Sequence, residues 1–480
     1  MMGLAILLLA VAAFWAFVEW RSGLLLCLAT AILQDPLRKL TPGEPIIFVA
    51  FVGVVFGAAC LGAWMGGVRF APSSIFGHDR RIAVPMRLLL LLIVLEALNS
   101  FLRYGNSMIT LIGLLTYLLP LPSIIFAYQL VHYGSASRVL HFMKTYLLWI
   151  VLALTTVYLD YAGYHWPVFG QVGGDLQIYD KYVHAVIIPY SGIFRAPEIA
   201  AWHAMTCACF ALLLVTVRKF NAFNLLTAIV VVGLLLGIAV LTGRRKAVVE
   251  VAVFMATYFV LWFVLQRGAE KLGIVLIVAG LVGFSWWAAG LSTRPAYVVD
   301  EKTVGYYNYV ERSKNVFEDV PARVTELAIA PVMWAYNRYG VFGAGLGVGT
   351  QGAQHFAGGQ TFGGASEGGL GKITLELGVP GLLLMGWLAI LVFNYVWQIM
   401  RDASQVSPEI ARLSYGLFSF LVANVAAFSV ATQAFGDIFI LLILSWMLGF
   451  LLAVPVMLKR ELRAQRQTLL KQPIKIFGTA

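Results

Sequence analysis

Long apolar runs set the pattern of this chain. They fall at 2–18, 22–34, 46–66, 86–102, 108–131, 145–160, 198–217, 223–242, 247–266, 272–290, 372–399, 412–431 and 435–458. Most approach the roughly 18–20 residues that a helix needs to cross a bilayer. The second is short and stops at Asp35 and Pro36, which suggests a half-span. Together the runs predict an all-α, polytopic transmembrane bundle of about 12 or 13 crossings. A membrane barrel would instead show alternating segments of about 10 residues. Two polar stretches are long. The first, 161–197, is rich in aromatics of the kind that anchor at an interface. The second, 291–371, far exceeds an ordinary connection and predicts helices of its own at Val304–Val316 and Pro321–Tyr339.

These limits divide the chain into five parts. N-terminal membrane helices span 1–160, and central helices with the first outer loop and an arginine-rich turn span 161–290. A large outer loop follows at 291–371, then C-terminal membrane helices at 372–458 and a basic tail at 459–480.

Composition agrees with the pattern: 60% of residues are hydrophobic, 12% are charged and mean hydropathy is +0.84. A soluble domain carries roughly 25% charged residues. The net charge of +11 does not point to nucleic acid, because much of it lies in short loops and the tail. The positive-inside rule places Lys459, Arg460, Arg463, Arg466, Lys471 and Lys475 in the cytoplasm. Counting back puts 401–412, 267–271, 218–219, 132–144 and 69–87 on the same side, and 292–371 outside; the N-terminal parity stays open. Cys27, Cys60, Cys207 and Cys209 all sit in apolar runs without disulfide or metal-ligand spacing. No HExxH or GxSxG occurs. Gly343, Gly345, Gly347 and Gly349 lack the lysine and hydroxyl of a phosphate loop, so they are read as permitting tight turns and close backbone approach. Neither a metal nor a cofactor is expected.

One turn breaks the charge rule. Arg244, Arg245 and Lys246 are consecutive cations on the outer side. Either lipid phosphates or an acidic loop neutralise them, or they bind an anion, for which the planar guanidinium fork suits a diphosphate. Glu367 has no basic neighbour one helical turn away and reads equally as a general base or a solvated carboxylate. Glu376 lies four residues after Lys372 and can pair with it on one helix face. An ionisable residue within a span is nonetheless a functional candidate. His203, alone on its helix, reads first as a packed polar residue and second as a ligand contact.

Four patches in order resemble the O-antigen polymerase and O-antigen ligase superfamily. Gly192, Phe194, Pro197, Glu198 and Ala200 look like its G-x-F-x-x-P-N-x-x-A pattern at the start of a span. Thr242, Arg244, Arg245 and Ala247 look like its T-x-S-R-G-A pattern, with Arg244 in place of serine. Arg323, Trp334, Gly343, Gly345 and Gly347 resemble its R…W…P-x-x-G-x-G stretch, without the proline. Glu367, Leu370, Glu376, Gly378 and Gly381 match the spacing of its H-N-x-x-L-x-x-x-x-E-x-G-x-x-G motif, with glutamate where ligases carry histidine. The resemblance implies a GT-C-type helical bundle in a bacterial inner membrane with its active site on the periplasmic side. It further implies an inverting, metal-independent polymerase acting on undecaprenyl-diphosphate-linked glycans, within membrane lipid and alongside a chain-length regulator. Arg245 and Arg323 would stabilise the leaving diphosphate and Glu367 would be the base, with Arg244, Lys246, Arg195, Glu376 and His203 as substrate contacts. The competing readings are ligase-type transfer to a lipid or protein acceptor, and a non-enzymatic lipid-linked glycan transporter. A transporter should show broken, polar spans at mid-membrane.

Overall fold

The computed structural model describes residues 1–76, 80–134, 136–174, 177–180, 185–217, 222–244, 246–266, 309, 322–350 and 368–471. Its helices follow the apolar runs: α1 (Met2–Val18), α2 (Gly23–Lys39), α3 (Phe51–Met65), a short α4 (Ser73–Phe76), α5 (Arg80–Tyr104), α6 (Ser107–Leu118), α7 (Pro120–His132) and α8 (Ser137–Tyr161). After them come α9 (Pro197–Val217), α10 (Ala222–Leu241), α11 (Lys246–Leu265) and α12 (Ala330–Tyr339), then α13 (Gly369–Val406), α14 (Pro408–Val430), α15 (Ile438–Leu452) and α16 (Val454–Lys471). Among the described residues, 9 helices are long and apolar enough to cross a membrane, and up to 11 if each of two bent pairs counts as a span. The protein is a multi-pass helical membrane protein. The apolar run at 272–290 and the helix expected at Val304–Val316 fall mainly outside the described residues.

One expectation is corrected. The second run does not end at Pro36: α2 continues through it to Lys39, carrying Asp35, Arg38 and Lys39 on helical backbone. The first long loop, at 161–197, contains a short hairpin. Ile178–Asp180 and Ala185–Ile187 pair as a small antiparallel hairpin, in register Ile178 with Ile187. The helix expected at Pro321–Tyr339 is present: described residues 322–339 are helical throughout, with a π-helical stretch at Val324–Ile329 that leads into α12.

α9 is the central post. Buried residues make up 78% of its apolar window, against 28% for α10. The reason is its composition: Ala200, Ala204, Ala208 and Ala211 are small and buried, which lets neighbouring helices approach closely where no hydrophobic effect drives them together. α1, α5 and α10 instead present large apolar side chains such as Phe14, Leu91 and Phe223 on their outer faces, as lipid contact requires.

Loops assigned to one side by charge cluster at one end. Arg460 of α16 donates to the carbonyls of Val131, His132 and Gly134, satisfying the open end of α7. Arg412 donates to the Thr216 carbonyl at the end of α9. The opposite end gathers the last turn of α2, the 188–196 loop, the 242–246 turn and the 432–437 connection.

The glycine run expected to permit close approach does so. Residues 343–350 are buried, threaded between α5, α6 and α13. Ala344 N–H donates to the Leu375 carbonyl at 2.7 Å and Leu346 N–H to the Glu96 carbonyl at 3.1 Å.

Candidate functional site

The site is built on the 188–196 stretch, irregular backbone buried beside the ends of several spans. Such backbone must find partners for its N–H and C=O groups within the protein. Lys39 supplies two of them and ties the stretch to residues 168–170. Its ammonium donates to the carbonyls of Val168 (3.0 Å), Gly170 (2.6 Å), Gly192 (2.9 Å) and Phe194 (2.7 Å). The carboxylates of Asp160 and Asp35 accept from the amides of Gly192 and Arg195, each at 3.0 Å, and Thr156 Oγ1 accepts from Ile193 N–H at 3.1 Å. Gly192 has φ +56°, and a Cβ there would lie 2.4 Å from Thr156 Oγ1, so this position takes only glycine. The loop then enters α9 at Pro197, the first helical position, where the missing N–H costs nothing.

Arg195 is thereby fixed between two helices. Its guanidinium contacts Asp35 of α2 at 3.4 Å and forms a charge-assisted bond with Asp437, the residue that caps α15 through Ile440 N–H. Burial alone would lower its pKa, but Asp437 and Asp35 more than offset this and hold it above its ordinary value. Arg195, expected at a substrate, therefore has its donors committed within the protein.

Arg244 forms an ion pair with Glu198, in the first turn of α9. Burial lowers its pKa, and Glu198 opposes the shift. Its Nε is buried without a hydrogen-bond partner. Lys246 Nζ donates to Gln433 Oε1 at 2.6 Å rather than to Glu250, which follows one turn along its helix. Arg323 stands within electrostatic reach of Lys246. Between these groups is a cavity of about 330 Å³ whose lining includes Arg38, Arg195, Glu198, Gln433 and Asp437. Arg38 and Arg195 line this volume opposite the carboxylates Glu198 and Asp437, and Arg244 and Lys246 reach two of its lining residues, Glu198 and Gln433.

Two other sequence candidates have structural surroundings. His203 Nδ1 bonds the Tyr146 hydroxyl at 2.6 Å inside a box of Tyr146, Phe194, Trp202 and Phe439 rings, the packed arrangement read first for a lone helix histidine. Glu376 is fully buried and its partner is not Lys372. It accepts from the Tyr117 hydroxyl at 2.7 Å, and from Gly349 N–H and Thr350 Oγ1 at 2.9 Å each, pinning the glycine loop to α13. Hydrogen bonds to a charged acceptor contribute roughly 1.5–3 kcal/mol each, and their loss leaves buried donors unsatisfied. Glu376→Ala is expected to destabilise the detergent-solubilised protein by about 3 kcal/mol or more, read as a fall in unfolding midpoint, with Glu376→Gln intermediate.

Arg245 and Glu367 lie outside the described residues. Sequence reasoning missed Asp35, Arg38, Lys39, Gln433 and Asp437. The signal was available for Asp35 and Asp437: each is an acid at the edge of an apolar run, and charge is costly there unless paired. Comparison with known proteins adds no relative: no protein-family model matches the chain, and no curated protein matches it.

Proposed function

We propose that the chain is a membrane glycosyltransferase that joins polyprenyl-diphosphate-linked oligosaccharides into a polysaccharide at the outer face of a bacterial inner membrane. The observation that carries this reading is a cavity at one end of the bundle lined by Arg38 and Arg195, with Arg244 and Lys246 bonded to its lining residues Glu198 and Gln433. A diphosphate there would take guanidinium donors in exchange for the carboxylates that now hold them. In this reading the acceptor hydroxyl oxygen bonds to the anomeric carbon of the donor while the bond from that carbon to the diphosphate oxygen breaks. The bonding pair leaves with the diphosphate, which stays on its polyprenyl chain, and the hydroxyl proton passes to Glu367. Arg244, Arg245 and Arg323 face the growing negative charge, and Arg195 holds the cavity wall. Attack opposite the leaving group inverts the anomeric centre.

Membrane vesicles supplied with lipid-linked repeat units test it. Ladders of increasing length are the expected product. Arg244→Ala and Arg245→Ala should each lower product at least about 100-fold, the loss typical of removing one electrostatic stabiliser, with the protein still present in the membrane. Transfer of a single glycan to a lipid or protein acceptor would instead establish a ligase.

One observation favours a transporter as the second reading. Gly378 has φ +67° and breaks α13 just after buried Lys372 and Glu376, and broken spans with polar groups are a transporter's usual binding device. Movement of lipid-linked glycan across the vesicle membrane with no new glycosidic bond would establish that reading.

A further inference from the structure

A second cavity, of about 600 Å³, opens at the end of the bundle opposite the Arg38–Arg195 cavity. Leu24 of α2 lines this one and Arg38 the other, about 21 Å apart along the helix at 1.5 Å per residue. Its floor is apolar, made of the buried side chains Leu24, Leu130 and Phe142. Its rim is basic. Arg21 comes from the hinge between α1 and α2, where its guanidinium lies over the Trp20 ring at 5.2 Å. Arg138 and His141 come from the first two turns of α8. Among the described residues, Glu19 is the one carboxylate in the lining, 3.8 Å from Arg21. Both partners are about half exposed, so this pair holds Arg21 only weakly. Arg138 forms no salt bridge among the described residues. It folds over Gly134, where an added Cβ would meet its Nε at 2.6 Å. The α7 carbonyls at this corner are already taken by Arg460, so closing that helix does not require Arg138. No described side chain caps the first amides of α8, whose positive end adds to the same rim.

The lining thus sets two guanidiniums and an imidazole against a single carboxylate, above an apolar floor. Trp20 and Tyr133 meet edge to face at 6.4 Å beside the rim, as aromatics do where helices leave a bilayer. We infer that this cavity binds an anionic phospholipid, with its phosphodiester on Arg21 and Arg138 and the start of its acyl chains on Leu24, Leu130 and Phe142. The cations of 132–144 and of the tail put this end in the cytoplasm by the positive-inside rule, and the cytoplasmic leaflet is the anionic one. A free anion would gain nothing from the apolar floor. A zwitterionic lipid would bring its own cation to a basic rim. The site joins the α1–α2 hinge, where the chain turns by 120°, to α7 and α8, so the bound lipid fixes the hinge against the bundle. The two cavities share no lining residue, and this inference is independent of the diphosphate reading.

The test uses the purified full-length chain in phosphatidylcholine nanodiscs with a photoreactive phosphatidylglycerol as probe. Labelling of the wild type should map to residues 19–25 and 130–142, and unlabelled phosphatidylglycerol should compete it away. Labelling confined to other residues would overturn the inference, whatever any variant does. So would equal labelling of these residues by a photoreactive phosphatidylcholine, which would mean an ordinary lipid contact. Displacement of the probe by inorganic phosphate would mean a free-anion site, and would overturn the lipid occupant. Arg21→Ala and Arg138→Ala should each weaken phosphatidylglycerol binding about 5-fold, and the double variant about 25-fold, as the loss of one or two interfacial cations implies. Arg138→Lys, which keeps the charge, should retain most of the binding. Lys144→Ala removes an exposed cation of α8 outside the lining and should leave binding unchanged. Unchanged binding in the double variant, or an equal loss in Lys144→Ala, would show diffuse surface attraction instead of a site. None of these readouts requires polysaccharide formation, so they stand apart from the test of the glycosyltransferase reading.

Discussion

Asp437→Ala should destabilise the protein by about 3–5 kcal/mol, the range found when one partner of a buried ion pair is removed. Asp437 is 2% exposed, and its loss leaves Arg195 with Asp35 alone, at 3.4 Å. The same carboxylate also caps α15 through Ile440 N–H at 3.0 Å, a contact worth about 1 kcal/mol by itself. Three separate segments meet at this point, namely α2, the 188–196 loop and the start of α15. The expected result is therefore a cooperative loss of this end of the bundle, read as a lower unfolding midpoint in detergent. A pH dependence accompanies it. Burial pushes the Asp437 carboxyl up, but Arg195 and the Ile440 amide outweigh burial and hold it below its ordinary value. A carboxyl depressed in the folded state stabilises at pH above its unfolded value, and that contribution is lost as pH falls through the folded value. Wild-type stability should accordingly hold from neutral pH down to about 5 and fall below about 4. Asp437→Ala should show a lower but flatter acid limb. An unchanged midpoint in the variant would show that Asp35 alone suffices to hold Arg195.

Gly347→Ala is expected to be of comparable severity for a different reason. Gly347 has φ +87°, and an added Cβ would lie 2.1 Å from the Ile109 carbonyl oxygen of α6. The left-handed backbone costs an alanine roughly 1–2 kcal/mol. Forcing extra volume into a packed site adds about 1–3 kcal/mol more. Gly340→Ala is the matched control, since Gly340 has φ +75° but no atom within 4 Å of its Cβ position. With ψ −161° its backbone lies in a region that is essentially restricted to glycine, so it should lose only the backbone part, about 1–3 kcal/mol. Midpoints measured side by side separate backbone strain from the overlap between loop and helix. Equal losses in the two variants would mean that the loop can lift off α6, contrary to its burial.

The sequence determines the membrane character, the limits of most helices and the grouping of loops by side. Apolar length and cation placement are local properties that the bilayer itself enforces, so they can be read one segment at a time. The role of the glycine run was legible for the same reason: a phosphate loop needs named partner residues, and these are missing. The charge anomaly at Arg244 and Lys246 was also visible, because three cations at an outer turn violate a rule that uses sequence position alone.

Only the tertiary structure decided what those charges meet. Arg244 pairs with Glu198, 46 positions earlier in the chain, and Lys246 with Gln433, 187 residues away. Neither bond follows from helical spacing, which places Glu250 one turn from Lys246 and pointed Glu376 to Lys372. Glu376 instead takes Tyr117, Gly349 and Thr350, because a buried carboxylate collects whichever donors the folded chain brings within reach. Lys39 is the extreme case. In the sequence it is a lysine after a short apolar run, and in the fold its ammonium binds four carbonyls from the loop that carries Arg195. Segment identity is written in local hydrophobicity, whereas the partners of a buried charge depend on which helix ends come together.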